Sequence, residues 1–152
     1  MRTKALVSIL LLSSLGWPQS ATQISTARLV ETASVVPLLS AAHPLVLHVG
    51  PRILYSQAHI PKAEYMGMAS SPEGVQHLQE RLKTEPKGRL IILYCGCCPW
   101  DRCPNVKPAL DELERLGFKN VKVIHIAQNF GADWVQKGFP TEKGEPAGTK
   151  GK

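Results

Sequence analysis

The sequence predicts an α/β fold: a single domain with a central parallel sheet of about five strands, flanked by helices on both faces. Three observations carry this. Short apolar, β-branched runs at residues 45–49, 90–94 and 121–126 read as buried strands. Segments with helical spacing of apolar residues lie between and after them. The chain has 152 residues, 43% of them hydrophobic, which suits one core and not two.

Residues 1–21 read as a secretory signal. Arg2 and Lys4 make a basic start, Ala5 to Leu15 is apolar, and Gly16 and Pro18 break the run. Ser20-Ala21 offers small residues for cleavage. The apolar part is too short to span a bilayer comfortably. The expected destination is the periplasm or the exterior, with no membrane attachment once the signal is removed. The mature domain is expected over residues 22–140 and a disordered basic tail over 141–152, which is polar and rich in Gly and Lys.

Within the domain, Thr26 is read as the cap of a short helix from Ala27 to about Ala33, and residues 35–42 as a connection. Pro44 and Gly50 bound the first strand. Residues 53–58 suit a helical turn. Ser71-Pro72-Glu73 opens a helix well, with serine at the cap, proline at the first position and acid in the first turn. That helix runs to about Lys83, with Val75, Leu78 and Leu82 on one face. Pro86-Lys87-Gly88 is a turn. Val106, Ala109, Leu110, Leu113 and Leu116 mark another helix, closed by Gly117. Pro108 must lie in its first turn, so it begins close to Pro104. Residues 133–137 read as a short helix.

All four cysteines fall within nine residues, Cys95 to Cys103, between a strand end and a helix start. In open α/β sheets binding crevices form there. Free backbone N–H groups and the helix dipole also stabilise a thiolate there. A bridge closing so small a loop stabilises little, so these cysteines read as a site and not a staple. The net charge is +6, but no basic stripe with interleaved aromatics is present, which argues against nucleic-acid binding.

Several segments together resemble the rhodanese-like sulfurtransferase family. Tyr55-x-x-x-His59-Ile60-Pro61-x-Ala63 is similar to its first signature. The strand ending Leu93-Tyr94-Cys95 is similar to the one that delivers its catalytic cysteine. Leu113 to Phe118 and Val121 to Ile124 follow the active loop as in the family, and Trp134-x-x-x-Gly138-Phe139-Pro140 is similar to its closing motif. His48 and Gly50 stand where the family has Asp and Arg, Ala58 and Lys62 replace two glycines, and the loop from Cys95 is longer. The resemblance implies a rhodanese-like domain and an enzyme that moves sulfane sulfur, from thiosulfate or a related donor to a thiol, through a persulfide on Cys95. No cofactor or metal is implied. The expected partner is a small sulfur anion, a thiol or a thiol-bearing protein.

Candidate loop and substrate residues are Gly96, Cys97, Cys98, Trp100, Arg102, Cys103 and His48. Arg102 suits an anionic donor, Cys97 is the rival nucleophile, and Cys98 and Cys103 are candidate resolving thiols. Trp100 is a candidate pocket wall, and His48 either lines the pocket or is structural. Two other classes stay open. Cys95-Gly96-Cys97-Cys98 contains the Cys-x-x-Cys of dithiol oxidoreductases, and four thiols suit Zn²⁺ or Cu(I) by type.

Overall fold

The computed structural model describes residues 24–145 of the chain. The expected signal at 1–21 lies outside the described residues, as do residues 146–152 of the expected tail. Five strands form one wholly parallel sheet: β1 (Leu29–Val30), β2 (Leu45–His48), β3 (Glu64–Tyr65), β4 (Ile91–Tyr94) and β5 (Val121–Ile124). Their spatial order is β1-β5-β4-β2-β3. Thus β4 is central: Leu93 sits opposite Leu47 of β2 and Val123 of β5. Parallel neighbours need crossover connections. The helices along the chain are α1 (Thr32–Ala41), α2 (Arg52–Gln57), α3 (Pro72–Leu82) and α4 (Val106–Arg115).

The two-residue period of a strand divides the core into two layers. On one face Leu45, Leu47, Ile91, Leu93, Val121 and Val123 pack with Leu78 and Leu82 of α3 and with Val106, Ala109, Leu110 and Leu113 of α4. On the other face Val46, Ile92, Tyr94 and Ile124 meet Val35 of α1, Tyr55 of α2, and Phe130 and Trp134. The alternation through Ile91 and Leu93 therefore sends Cys95 to the α3–α4 side, where it joins that core. This register aims the first cysteine at the start of α4.

Several elements form as the sequence predicts. Ser71 caps α3 by accepting from the Gly74 N–H at 3.2 Å, with Pro72 at its first position. Pro108 is the third residue of α4, where a missing N–H costs nothing. Three expectations fail. The segment from Thr26 makes only a single 3-10 turn and then β1, which pairs with β5. The helix comes later, over the residues expected to be a connection, and contains Pro37. Burial of Val35 holds α1 in place despite the proline and the lack of a side-chain cap.

The third failure concerns the tail. The domain extends past Pro140, because Thr141–Glu145 is tied down. His59 and Glu142 exchange backbone hydrogen bonds of 2.9 and 2.8 Å, and Arg52 pairs with Glu145 at 2.5 Å. A polar composition is satisfied here by a strand-like pairing to the His59 segment. The short helix expected at 133–137 is a π-helical turn over Gly131–Val135. No helix among the described residues is long and apolar enough to cross a membrane.

Candidate functional site

Cys95 follows the last residue of β4 and is 2% exposed. Gly50, two residues past the end of β2, lies against it. A Cβ on Gly50 would lie 2.5 Å from Cys95 Sγ and 2.9 Å from its carbonyl oxygen. The missing side chain is what lets the thiol sit there. After Cys95 the chain turns at Gly96, whose φ of +82° favours glycine. The Gly96 carbonyl accepts from Phe130 N–H at 3.0 Å, tying the loop to the segment after β5.

That turn folds the loop back over the strand end. Cys97 Sγ comes within 3.2 Å of Cys95 Sγ, 2.9 Å of Cys98 Sγ and 3.9 Å of Cys103 Sγ. Cys95, Cys97 and Cys103 place their sulfurs within 4.8 Å of one another, a spacing from which three thiolates can close on one soft cation. Trp100 closes the loop through its N–H to the Ile126 carbonyl at 2.9 Å.

The four thiols have different surroundings. Cys103 lies just before α4 and receives hydrogen bonds from Cys95 and from the N–H groups of Asn105 and Val106. These donors pull its pKa down to about 5. Cys95 is pushed up, because it donates to Cys103 and is buried. Cys98 is pushed up to about 12, chiefly by burial. The negative charge of the cluster is therefore favoured first on Cys103, held chiefly by the Cys95 thiol and then by the first N–H groups of α4.

Asn105, which the sequence reading did not single out, completes the site. It is 2% exposed. Its Nδ2 donates to Cys95 Sγ at 3.5 Å, and its Oδ1 accepts from Ser70 N–H at 3.0 Å. An asparagine one residue before a helix reads as a cap, so its aim at a sulfur 10 positions back is invisible without the fold.

Three of the expected site residues stand apart from the sulfurs. His48 is 1% exposed but points to the opposite face of the sheet from the thiols, enclosed by the rings of Tyr55, Tyr65 and Tyr94 at 5.0–6.0 Å. Its ring touches the site only through the backbone, by a hydrogen bond to Cys95. Burial drives its pKa down to about 4, so it is neutral and structural. Arg102 has a side chain 78% exposed, turned to solvent near Asp101. Trp100 packs against the α3–α4 core and sets its ring edge toward His125.

A cavity of about 430 Å³ opens at the loop, lined by Gly96, Cys97, Phe130, Leu54 and Gln136 among others. Cys97 is the cysteine on its wall. A larger cavity, about 660 Å³, lies by Leu45 and Arg89 at the other end of the strands and touches no cysteine.

No protein-family model matches the chain, and no curated protein sequence matches it. Solved structures do. The rhodanese-like domain of an Anabaena sp. protein superposes with a TM-score of 0.55, at 22% identity, over 82% of this chain and 86% of that one. The chain has the rhodanese-like fold. A rhodanese-related protein from Thermoplasma volcanium agrees, with a TM-score of 0.54 at 16% identity, over 76% of this chain and 97% of that one. So does EanB, solved as a cysteine persulfide with ergothioneine, with a TM-score of 0.58 at 22% identity. There the match covers 75% of this chain and 27% of EanB. In this rhodanese-like domain the parallel five-strand sheet is the expected one, and the four thiols lie on the loop after its central strand.

Proposed function

We propose that this rhodanese-like domain is an exported sulfurtransferase that carries sulfane sulfur as a persulfide on Cys95. The observation that carries the reading is the position of Cys95. It follows directly on the central strand, faces the start of α4, and receives hydrogen bonds from Asn105 Nδ2 and from the Cys97 backbone N–H. Both donors suit a sulfur anion. Solved structures of the same fold support it, one of them a persulfide.

The reaction runs in two displacements. Cys95 passes its proton to Cys103 along their hydrogen bond, and the thiolate attacks the outer sulfur of thiosulfate. The S–S bond of thiosulfate breaks, sulfite leaves, and a persulfide remains. An acceptor thiolate then takes the outer sulfur, and Cys95 leaves as the thiolate. With Arg102 turned to solvent, the backbone N–H groups of the loop and Asn105 are the donors that meet an anionic substrate.

Reduced protein is incubated with thiosulfate and its intact mass recorded, with sulfite measured alongside. The parent releases sulfite; Cys95→Ser does not. Sulfite release by Cys95→Ser as fast as by the parent transfers the role to Cys97. Two specific observations favour other readings. The Cys-x-x-Cys pair, Cys95 and Cys98, has Cys97 Sγ within 3.2 and 2.9 Å of its two sulfurs, which suits a dithiol oxidoreductase, and the three convergent sulfurs suit a thiolate metal module. Reversible dithiol cycling without sulfite release selects the first, and stoichiometric metal in protein purified without chelator selects the second.

A further inference from the structure

A single-cysteine sulfur carrier has nothing beside its persulfide. Here a second thiol is built against the first. Cys103 is buried, lies within 4.8 Å of Cys95 by sulfur position, and is held by the first N–H groups of α4. A disulfide needs a bond of about 2 Å, which leaves roughly 3 Å or less to be closed by side-chain movement. The seven residues between Cys95 and Cys103 make that ring far less strained than a link from Cys95 to Cys97, which has one residue between.

Direction decides between the two neighbours. Displacement at sulfur is in line, so the attacking thiolate must approach Cys95 from behind the departing atom. Cys97 and Gly96, the neighbours of buried Cys95, line the cavity at the loop, and in this scheme the donor arrives there and the outer sulfur of the persulfide extends to that side. Cys103 is buried just before α4 and is not among the residues that line the cavity, so its attack would come from the other side.

We propose that Cys103 resolves the Cys95 persulfide within the chain, releasing hydrosulfide, so that the protein reduces sulfane sulfur instead of only passing it on. This rests on the Cys95 persulfide proposed above. Cys103 returns the proton it took to the outer sulfur and then attacks Cys95 Sγ. The bond between Cys95 Sγ and the outer sulfur breaks, hydrosulfide leaves with the electron pair, and a Cys95–Cys103 disulfide forms. In sum, the Cys95 thiol, the Cys103 thiolate and thiosulfate become the disulfide, hydrosulfide and sulfite. The sulfane sulfur is reduced by two electrons, and the two cysteines supply them. Return to the starting state needs an external dithiol reductant. It reaches the cluster at Cys97, which borders the cavity and contacts both Cys95 and Cys98.

The test uses reduced full-length protein and one equivalent of thiosulfate under anaerobic conditions, without added thiol. Sulfite, hydrosulfide and intact mass are measured, and the disulfide is mapped by non-reducing digestion. The expected hydrosulfide-to-sulfite ratio is about one, with a protein two hydrogens lighter and a Cys95–Cys103 link. Cys103→Ser lacks the proton acceptor and so releases sulfite more slowly, but it ends as a stable persulfide, heavier by one sulfur atom, with the ratio near zero. A parent that keeps the extra sulfur and releases no hydrosulfide overturns the inference while leaving the sulfurtransferase reading intact. A parent that releases neither product overturns both. A link mapped to Cys97, with Cys103→Ser still releasing hydrosulfide, overturns the assignment of Cys103 without relying on any variant's stability.

Discussion

Asn105 Nδ2 donates to Cys95 Sγ across 3.5 Å while the same side chain accepts from the Ser70 backbone at 3.0 Å. One buried amide thus fixes the loop before α3 and points a donor at the central sulfur. A donor aimed at a sulfur stabilises its anion more than its thiol. The same contact is available to a persulfide.

Replacing Asn105 with Ala removes both bonds. A hydrogen bond to a charged group contributes about 1.5–3 kcal/mol, so sulfite release from thiosulfate is expected to slow by roughly 10- to 100-fold. Unpairing the Ser70 N–H lowers stability as well, by about 1–3 kcal/mol. Asn105→Asp separates the two effects. It keeps an acceptor for Ser70 and loses the donor, so the rate falls while the Ser70 contact survives. A sulfite-release rate unchanged in both variants contradicts the assigned role.

Gly50 is the second positioning feature. Gly50→Ala sets a methyl 2.5 Å from Cys95 Sγ and 2.9 Å from its carbonyl, so the β2 and β4 ends must move apart. Overpacking of this kind costs about 1–3 kcal/mol, measurable by urea unfolding. The Cys95 thiol is expected to alkylate faster as its cover loosens. Gly88→Ala is the control: nothing lies within 4 Å of its added carbon, and stability is expected to change by no more than about 0.5 kcal/mol. Equal unfolding curves for the two variants would contradict the packing argument.

Much of this was legible in the sequence, and the exceptions have physical causes. Strands β2, β4 and β5 are four residues each and buried but for half-buried Lys122, so their apolar runs stood out. Strands β1 and β3 have two residues each, too few for any period to register. Helix α1 carries Pro37 and lacks a capping side chain, so local signals pointed elsewhere. The thiol cluster was legible because its members are neighbours in sequence. Asn105 was not, because its partner Ser70 is 35 positions away. His48 was read as either lining the pocket or structural; it follows Leu47 by one residue and so faces the other side of β2 from the thiols. Arg102 sits on a single 3-10 turn at the surface, where nothing draws its side chain inward.

His48 predicts a pH dependence of stability. Its pKa is about 4 in the folded protein against 6.5 when exposed, so the unfolded chain takes up a proton first. The stabilisation is fully present above pH 6.5 and is lost as pH falls toward 4. The shift corresponds to about 3 kcal/mol of lost stability at the acid end. Urea unfolding at a series of pH values should show that slope, and His48→Gln should flatten it. An identical slope in the variant assigns the acid sensitivity to other groups.

The segment beyond Pro140 predicts a coupling between the chain end and the cavity wall. Glu142 pairs with His59 through both backbone groups, and its carboxylate accepts from Lys62 N–H at 3.0 Å. Gly144 N–H bonds the Ser56 carbonyl at 3.0 Å, and Glu145 accepts from Arg52 and Ser56. All of these grip α2 and the turn after it, which carry Leu54 and Ala58 of the 430 Å³ cavity. Exposed ion pairs contribute little, so the backbone bonds dominate, each about 0.5–1.5 kcal/mol. A chain ending at Pro140 is therefore expected to lose about 1–4 kcal/mol. Its amide exchange should accelerate at residues 58–63 and not in β4. Glu145→Ala alone should change stability by less than about 1 kcal/mol. Uniform acceleration across the sheet would mean that the segment supports the whole fold and not the cavity wall.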